Sequence, residues 1–301
     1  MSRIPEPVQT PEGPMYEGRM LDRVDEEVVD QGAAFDIRTL VTRRGVLSLA
    51  GLGVGAVVLA ACTPATSAPA TGGGDAATSD ADSTSGMENT AAGEIPQETA
   101  GPYPGDGSNG PDILERSGIV RADITTSIDG SATADGIPLE LELLVRDLAN
   151  GGVPLAGVAV YAWHCTARGE YSMYSSGLED VTYLRGVQVS DAEGRVAFSS
   201  IFPGCYAGRW PHVHFEVYPD VEAITESANA IVTSQLALPE DACAAVYADP
   251  RYEGSTRNLA QISLSSDNVF GEDSAALQLA TVTGDEGSGY TATLVVGVQG
   301  L

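Results

Sequence analysis

The stretch His212-Val-His-Phe-Glu-Val-Tyr218 reads as a β-strand that carries two imidazoles on one face. Val213, Phe215 and Val217 recur at period two, the spacing at which strand side chains alternate between faces, so His212 and His214 project together while the apolar residues pack behind them. A pair presented in this way can share one metal ion. Pro203-Gly204 breaks the preceding run and leaves Tyr206 and Arg209 on the loop that feeds the histidine strand. Short runs of the same texture follow one another along the chain: Leu139 to Val145, Val158 to Trp163, Arg195 to Ile201, Ile231 to Leu238, Gln261 to Leu264, Leu277 to Val282 and Thr291 to Val298. They are rich in β-branched and aromatic residues and are separated by turn signals such as Asn150-Gly151-Gly152 and Glu193-Gly194. Helical periodicity is scarce, and Pro239 to Tyr247 is its best instance. The pattern predicts an all-β domain: a β-sandwich of mostly antiparallel strands with at most one or two short helices.

The hydrophobic fraction of 43% is enough for a real core. The 42 acidic residues face only 15 basic ones, every one an arginine, for a net charge of −27. That balance excludes a nucleic-acid partner, because a phosphate backbone requires a basic footprint.

Residues 1–42 are polar and acidic without clear periodicity. Thr42-Arg43-Arg44-Gly45 then opens a mildly apolar run that reaches Ala61. Paired arginines before such a run resemble a twin-arginine export signal, and Leu59-Ala60-Ala61-Cys62 resembles a lipobox whose cysteine is lipidated after cleavage. The long segment before the arginines is unusual for such a signal and leaves Met20 as an alternative start. The run is interrupted by Gly45, Gly51, Gly53 and Gly55 and is short for spanning a bilayer, which needs about 20 apolar residues. Residues 63–94 are dominated by Ala, Thr, Ser, Gly and Asp and cannot bury enough surface to offset chain entropy, so they read as a disordered tether. The expected organisation is therefore an export signal with lipobox over 1–62, a linker over 63–94 and a folded domain over 95–301. Its place would be the outer face of the cytoplasmic membrane, held only through Cys62, or outside the cell.

Cys165, Cys205 and Cys243 remain for an oxidising compartment, where one disulfide leaves one thiol over; three pairings are open, and Cys205–Cys243 is the preferred one, since it would staple the metal loop to the short helix. Cysteine catalysis is disfavoured, because His164, the one spare histidine, is the sequence neighbour of Cys165 and points to the other face of its strand. A cupin is disfavoured as well: Glu216 follows His214 too closely and no later histidine exists. Any site around the histidines must be completed by other residue types, and tyrosines are the available candidates.

Several segments, in order, resemble the intradiol ring-cleavage dioxygenases: Pro154-Leu-Ala-Gly-Val-Ala-Val-Tyr-Ala-Trp-His164, Gly169-Glu-Tyr171-Ser, Leu184-Arg-Gly-Val-Gln-Val-Ser-Asp-Ala-Glu-Gly-Arg-Val-Ala-Phe198, Pro203-Gly-Cys-Tyr206 and His212-Val-His214. The resemblance runs from about Glu98 to Gln235. It implies one non-haem ferric ion per chain, bound by Tyr171, Tyr206, His212 and His214, with a catechol-type diol and dioxygen as the reactants. The ring would be cut between its two hydroxyl-bearing carbons to a muconate-type diacid. The resemblance further implies that Tyr206 leaves the metal and takes a substrate proton, that Arg209 stabilises developing negative charge, and that Gln235 lies near the same pocket. Pro102 and Tyr103 would line the substrate mouth. The ligand chemistry is consistent with this, since phenolates are hard anionic donors and a phenol ionises below its free pKa of about 10 only beside a strong cation. Two further readings stay open at this stage: a non-catalytic carrier that keeps the fold, and a copper or zinc protein that uses the same ligands. The short spacing between Tyr206 and His212, with no helical dimerisation region, points to a secreted single-domain branch.

Overall fold

The computed structural model describes residues 91–300, together with three short strands near the N-terminus, β1 (Val8–Thr10), β2 (Gly13–Tyr16) and β3 (Arg19–Met20). Those three pair antiparallel in a small sheet that the sequence did not signal. The twin-arginine run, Cys62 and residues 63–90 of the linker lie outside the described residues. No helix among the described residues is long and apolar enough to cross a membrane.

The domain is a sandwich of two sheets. β4 (Pro138–Asp147) is the spine of one: it pairs antiparallel with β8 (Arg195–Ile201) and with the short β5 (Val153–Pro154), and parallel with β12 (Gly289–Val298), which carries β11 (Thr281–Asp285) on its far side. The other sheet runs in the order β10 (Val232–Ala237), β9 (His212–Tyr218), β6 (Ala159–Trp163) and β7 (Arg185–Val189), all antiparallel. Leu139, Leu141, Leu143 and Val145 of β4 alternate with less buried residues at first and meet Val160, Ala162, Val213, Phe215 and Val217 across the sandwich. This is the packing expected of two sheets joined by their inner faces.

The second sheet departs from simple alternation, because every residue of β6, β9 and β10 is buried. Its outer face carries Tyr161, Trp163, His212, His214, Glu216 and Gln235, and the loops before β4 and between β6 and β7 cover it as a third layer. Two short helices follow, α1 (Glu240–Val246) and α2 (Ser255–Leu259), so the expected helix at 239–247 is present.

Three expectations need correction. Gln261–Leu264 forms no strand but a turn entering a 3-10 helix at Leu264–Ser266; Ile262 and Leu264 pack beside Trp210 and Phe270, away from any strand partner. The run at Leu277–Val282 becomes strand only from Thr281, since Gln278 and Leu279 first hydrogen-bond back to the Ala275 carbonyl. The Cys205–Cys243 disulfide is not formed: Cys165, Cys205 and Cys243 are all free and buried. The Cys205 thiol donates instead to the Tyr206 and Arg209 carbonyls within its own loop, while Cys243 is on the buried side of α1.

Candidate metal centre

β9 brings the two histidines together as its period requires. His212 Nδ1 donates to the Trp210 carbonyl at 2.5 Å, which fixes the tautomer and leaves the Nε2 lone pair free. That Nε2 lies 3.1 Å from His214 Nε2 and 3.1 Å from the Tyr206 hydroxyl. Two ligands bound at right angles to one ion, with bonds of about 2.1 Å, stand about 3.0 Å apart, so these separations are those of a shared metal. The Tyr171 ring lies 6.0 Å from that of Tyr206 and 6.3 Å from that of His214, and its buried hydroxyl makes no hydrogen bond. A buried hydroxyl without a partner costs about 1–3 kcal/mol, and a metal bond at this position would relieve it. Among the described residues no group of three or more His, Cys, Asp and Glu side chains could hold a metal, so tyrosine has to complete any site here. The four residues singled out from the sequence therefore converge, and their donor set fits a hard, highly charged ion.

Burial sets the protonation of the set. It pushes His212 down to about 3 and His214 well below the ordinary histidine value, so both imidazoles are neutral donors. It pushes Tyr206 up to about 12 and Tyr171 well above 10, so neither phenol ionises without an adjacent cation. Trp163, opposite His214 on β6, stacks on that imidazole with centroids 4.8 Å apart and planes 6° from parallel. Glu216, two residues beyond His214, is no ligand: it accepts from the Tyr218 hydroxyl at 2.7 Å and from Thr233 Oγ1 at 3.1 Å.

Arg209 and Gln235 also join the site. Arg209 Nη2 donates to Gln235 Oε1 at 2.6 Å, and Gln235 Nε2 donates to the Thr99 carbonyl at 2.9 Å, which ties the Thr99–Tyr103 segment to the strand next to β9. Tyr103 rests on Tyr171 with centroids 4.8 Å apart, whereas Pro102 is exposed at the rim. Asp267 was not signalled by any motif. It is buried and accepts from Arg209 Nε at 3.0 Å and from the Trp210 amide at 2.7 Å. Burial works to raise its pKa, but Arg209 and the N–H groups of Trp210 and Val269 more than offset that and hold it below the carboxylate range.

His164 and Cys165 stay outside the chemistry. His164 Nδ1 donates to the Cys165 carbonyl at 2.8 Å and its Nε2 accepts from Ser200 Oγ at 2.7 Å. Burial holds the Cys165 thiol at about 12, which removes it as a nucleophile.

A protein-family model described as Dioxygenase matches residues 109–213. The protocatechuate 3,4-dioxygenase beta chain of Burkholderia cepacia is 30% identical over 138 residues, covering 42% of this chain and 55% of that protein. The catechol 1,2-dioxygenase of a Pseudomonas species is 31% identical over 90 residues, covering 30% of this chain and 29% of that protein. Over part of its length the chain is therefore similar to intradiol ring-cleavage dioxygenases. It spans about half, or less, of the length of the curated relatives it matches. Among solved structures, the intradiol ring-cleavage dioxygenase from Tetranychus urticae aligns with a TM-score of 0.54 at 23% identity, over 70% of this chain and 96% of that one, a likeness of fold.

The loop that carries Tyr206 is locked by close backbone approach. A Cβ added to Gly204 would lie 2.4 Å from the Ala167 carbonyl oxygen. Gly204→Ala should therefore cost about 1–3 kcal/mol of stability through overpacking, read as a lower denaturant midpoint; an unchanged midpoint would show that the loop can move aside.

Proposed function

We propose that this chain is an exported, non-haem iron(III) intradiol dioxygenase that opens a catechol-type ring between its two hydroxyl-bearing carbons. Both atoms of dioxygen enter the product, a muconate-type diacid. The observation that carries this reading is the convergence of His212 Nε2, His214 Nε2 and the Tyr206 hydroxyl beside the partnerless Tyr171 hydroxyl. Iron(III) held by these four side chains would supply the positive centre that binds a catechol as its dianion and readies the ring for dioxygen.

The protein's own groups divide the remaining work according to burial. Tyr171 is enclosed and suits a permanent ligand, whereas Tyr206 is partly exposed and is placed to accept a proton from the incoming diol. Arg209 Nε and Nη2 are taken by Asp267 and Gln235, which aims a fixed cation at the site where negative charge develops on the ring. Tyr103, stacked on Tyr171, and the Thr99 segment would flank the bound diol. Names of relatives that act on protocatechuate, chlorocatechol or catechol support a catechol-type diol as the substrate class. The paired arginines Arg43-Arg44 and the Leu59–Cys62 lipobox support export before anchoring through Cys62, a route suited to a protein that loads its metal while folding.

The visible spectrum of the purified full chain tests the proposal. Iron close to one per chain and a broad tyrosinate-to-iron band that moves to longer wavelength with catechol under nitrogen are expected. A chain that stays colourless after iron reconstitution would overturn the assignment in favour of a carrier module.

A further inference from the structure

Arg185 lies on β7 opposite Trp163 and is fully buried. Burying a cation is costly unless its donors are met, and no carboxylate pairs with it among the described residues. Its donors go to neutral oxygens from separate segments. Nε donates to Ser172 Oγ at 3.0 Å, Nη1 to the Pro104 carbonyl at 2.7 Å and the Tyr161 hydroxyl at 3.0 Å, and Nη2 to the Tyr103 carbonyl at 2.9 Å and the Ser172 carbonyl at 3.0 Å. A planar guanidinium can span such a set, which a point-like ammonium cannot.

The segments it joins are the mouth loop and the backbone next to Tyr171. The loop is held at its other end by Gln235 through the Thr99 carbonyl. Between these anchors Gly101 comes so near His214 that an added Cβ would be 3.3 Å from its Cε1, and Tyr103 lies on the Tyr171 ring. Backbone strain brackets the clamp as well: Leu184, just before Arg185, has φ 57°, and Met173, just after Ser172, has φ 70°. Non-glycine residues held in this region are strained and persist where surrounding contacts over-determine them.

We propose that Arg185 is a positioning residue that fastens the Thr99–Gly105 loop over Tyr171 and so sets how tightly the pocket holds its substrate. The inference rests on the proposed centre for its link to substrate, but the loop clamp itself can be read without metal. Arg185→Lys in the full chain keeps the charge and loses the fork. In the metal-free protein, amide exchange over residues 99–108 should rise about tenfold or more while β4 and β12 keep their protection. In the iron-loaded protein the resting visible band should stay in place, KM for catechol should rise on the order of tenfold, and kcat should change far less.

Unchanged loop exchange together with unchanged KM would overturn the proposal. So would a uniform rise in exchange across the domain, which marks a residue that merely supports the fold. Should Arg185→Lys fail to fold, Ser172→Ala decides: it removes the Nε acceptor and, with it, the hydroxyl's own bond to the Tyr183 carbonyl, so a rise in exchange over residues 99–108 supports the clamp, while none there, or a rise confined to the backbone around Tyr183, overturns it. A colourless wild-type chain would sink the metal-centre reading and be recognised as such, because the exchange measurement needs no iron.

Discussion

Tyr171→Phe should leave the metal-free protein as stable as the wild type, or slightly more so, and abolish stable iron binding. The hydroxyl it deletes is buried and unpartnered, so its loss removes a desolvation cost and no hydrogen bond. The ring, its contact with Tyr103 and its burial are kept. Removing even an outer-shell partner of a metal ligand costs about 10–100-fold in affinity, so losing a ligand itself should exceed that range. His212→Ala should behave alike towards metal, with a modest additional loss of stability from the deleted ring. The checks are a denaturant melt of the metal-free chains and a chelator competition for iron. A Tyr171→Phe chain that binds iron with wild-type affinity and colour would sink the four-ligand assignment.

The largest expected loss of stability comes from a residue outside the ligand set. Asp267→Ala should cost about 3–5 kcal/mol, because it strands a guanidinium that is only 12% exposed. It also leaves the amides of Trp210, Val269 and Phe270 without their acceptor. The damage should reach the centre, since the same carboxylate holds both Arg209 and the backbone from which the Trp210 carbonyl fixes the His212 tautomer. Equilibrium unfolding of the metal-free protein is the measurement. A loss below about 1 kcal/mol would mean that water replaces the carboxylate and that Arg209 is positioned by Gln235 alone.

Much of the sandwich was legible because its signals are local. Arg195–Ile201 and His212–Tyr218 were bounded correctly to the residue, each ending at a turn or flanked by one. The errors fall where local pattern and tertiary partner disagree. Ile262 and Leu264 look like strand residues, yet no neighbouring strand faces them, and they fill a small apolar cluster under Trp210. β7 carries no clear strand signal although Arg185–Val189 is a full strand, because its buried residues include an arginine on one face and a glycine on the other. A Cys205–Cys243 disulfide would have stapled the metal loop to the short helix, but the Cys205 thiol turns into its own loop.

For the centre, the sequence by itself determined the part that one strand and its loop can encode. Period two places His212 and His214 on a common face, and Pro203-Gly204 brings Tyr206 back beside them. Tyr171 and Gln235, and the role though not the place of Arg209, were legible only through resemblance, since no local spacing links them to the histidines. Only the tertiary structure decided what holds these groups in place: Asp267 under Arg209, Trp163 against His214, and Arg185 between the mouth loop and Ser172. Each is a contact between segments far apart in the chain. Hydrogen-bond geometry and burial, which no periodicity carries, come into being only when the two sheets and their covering loops have closed.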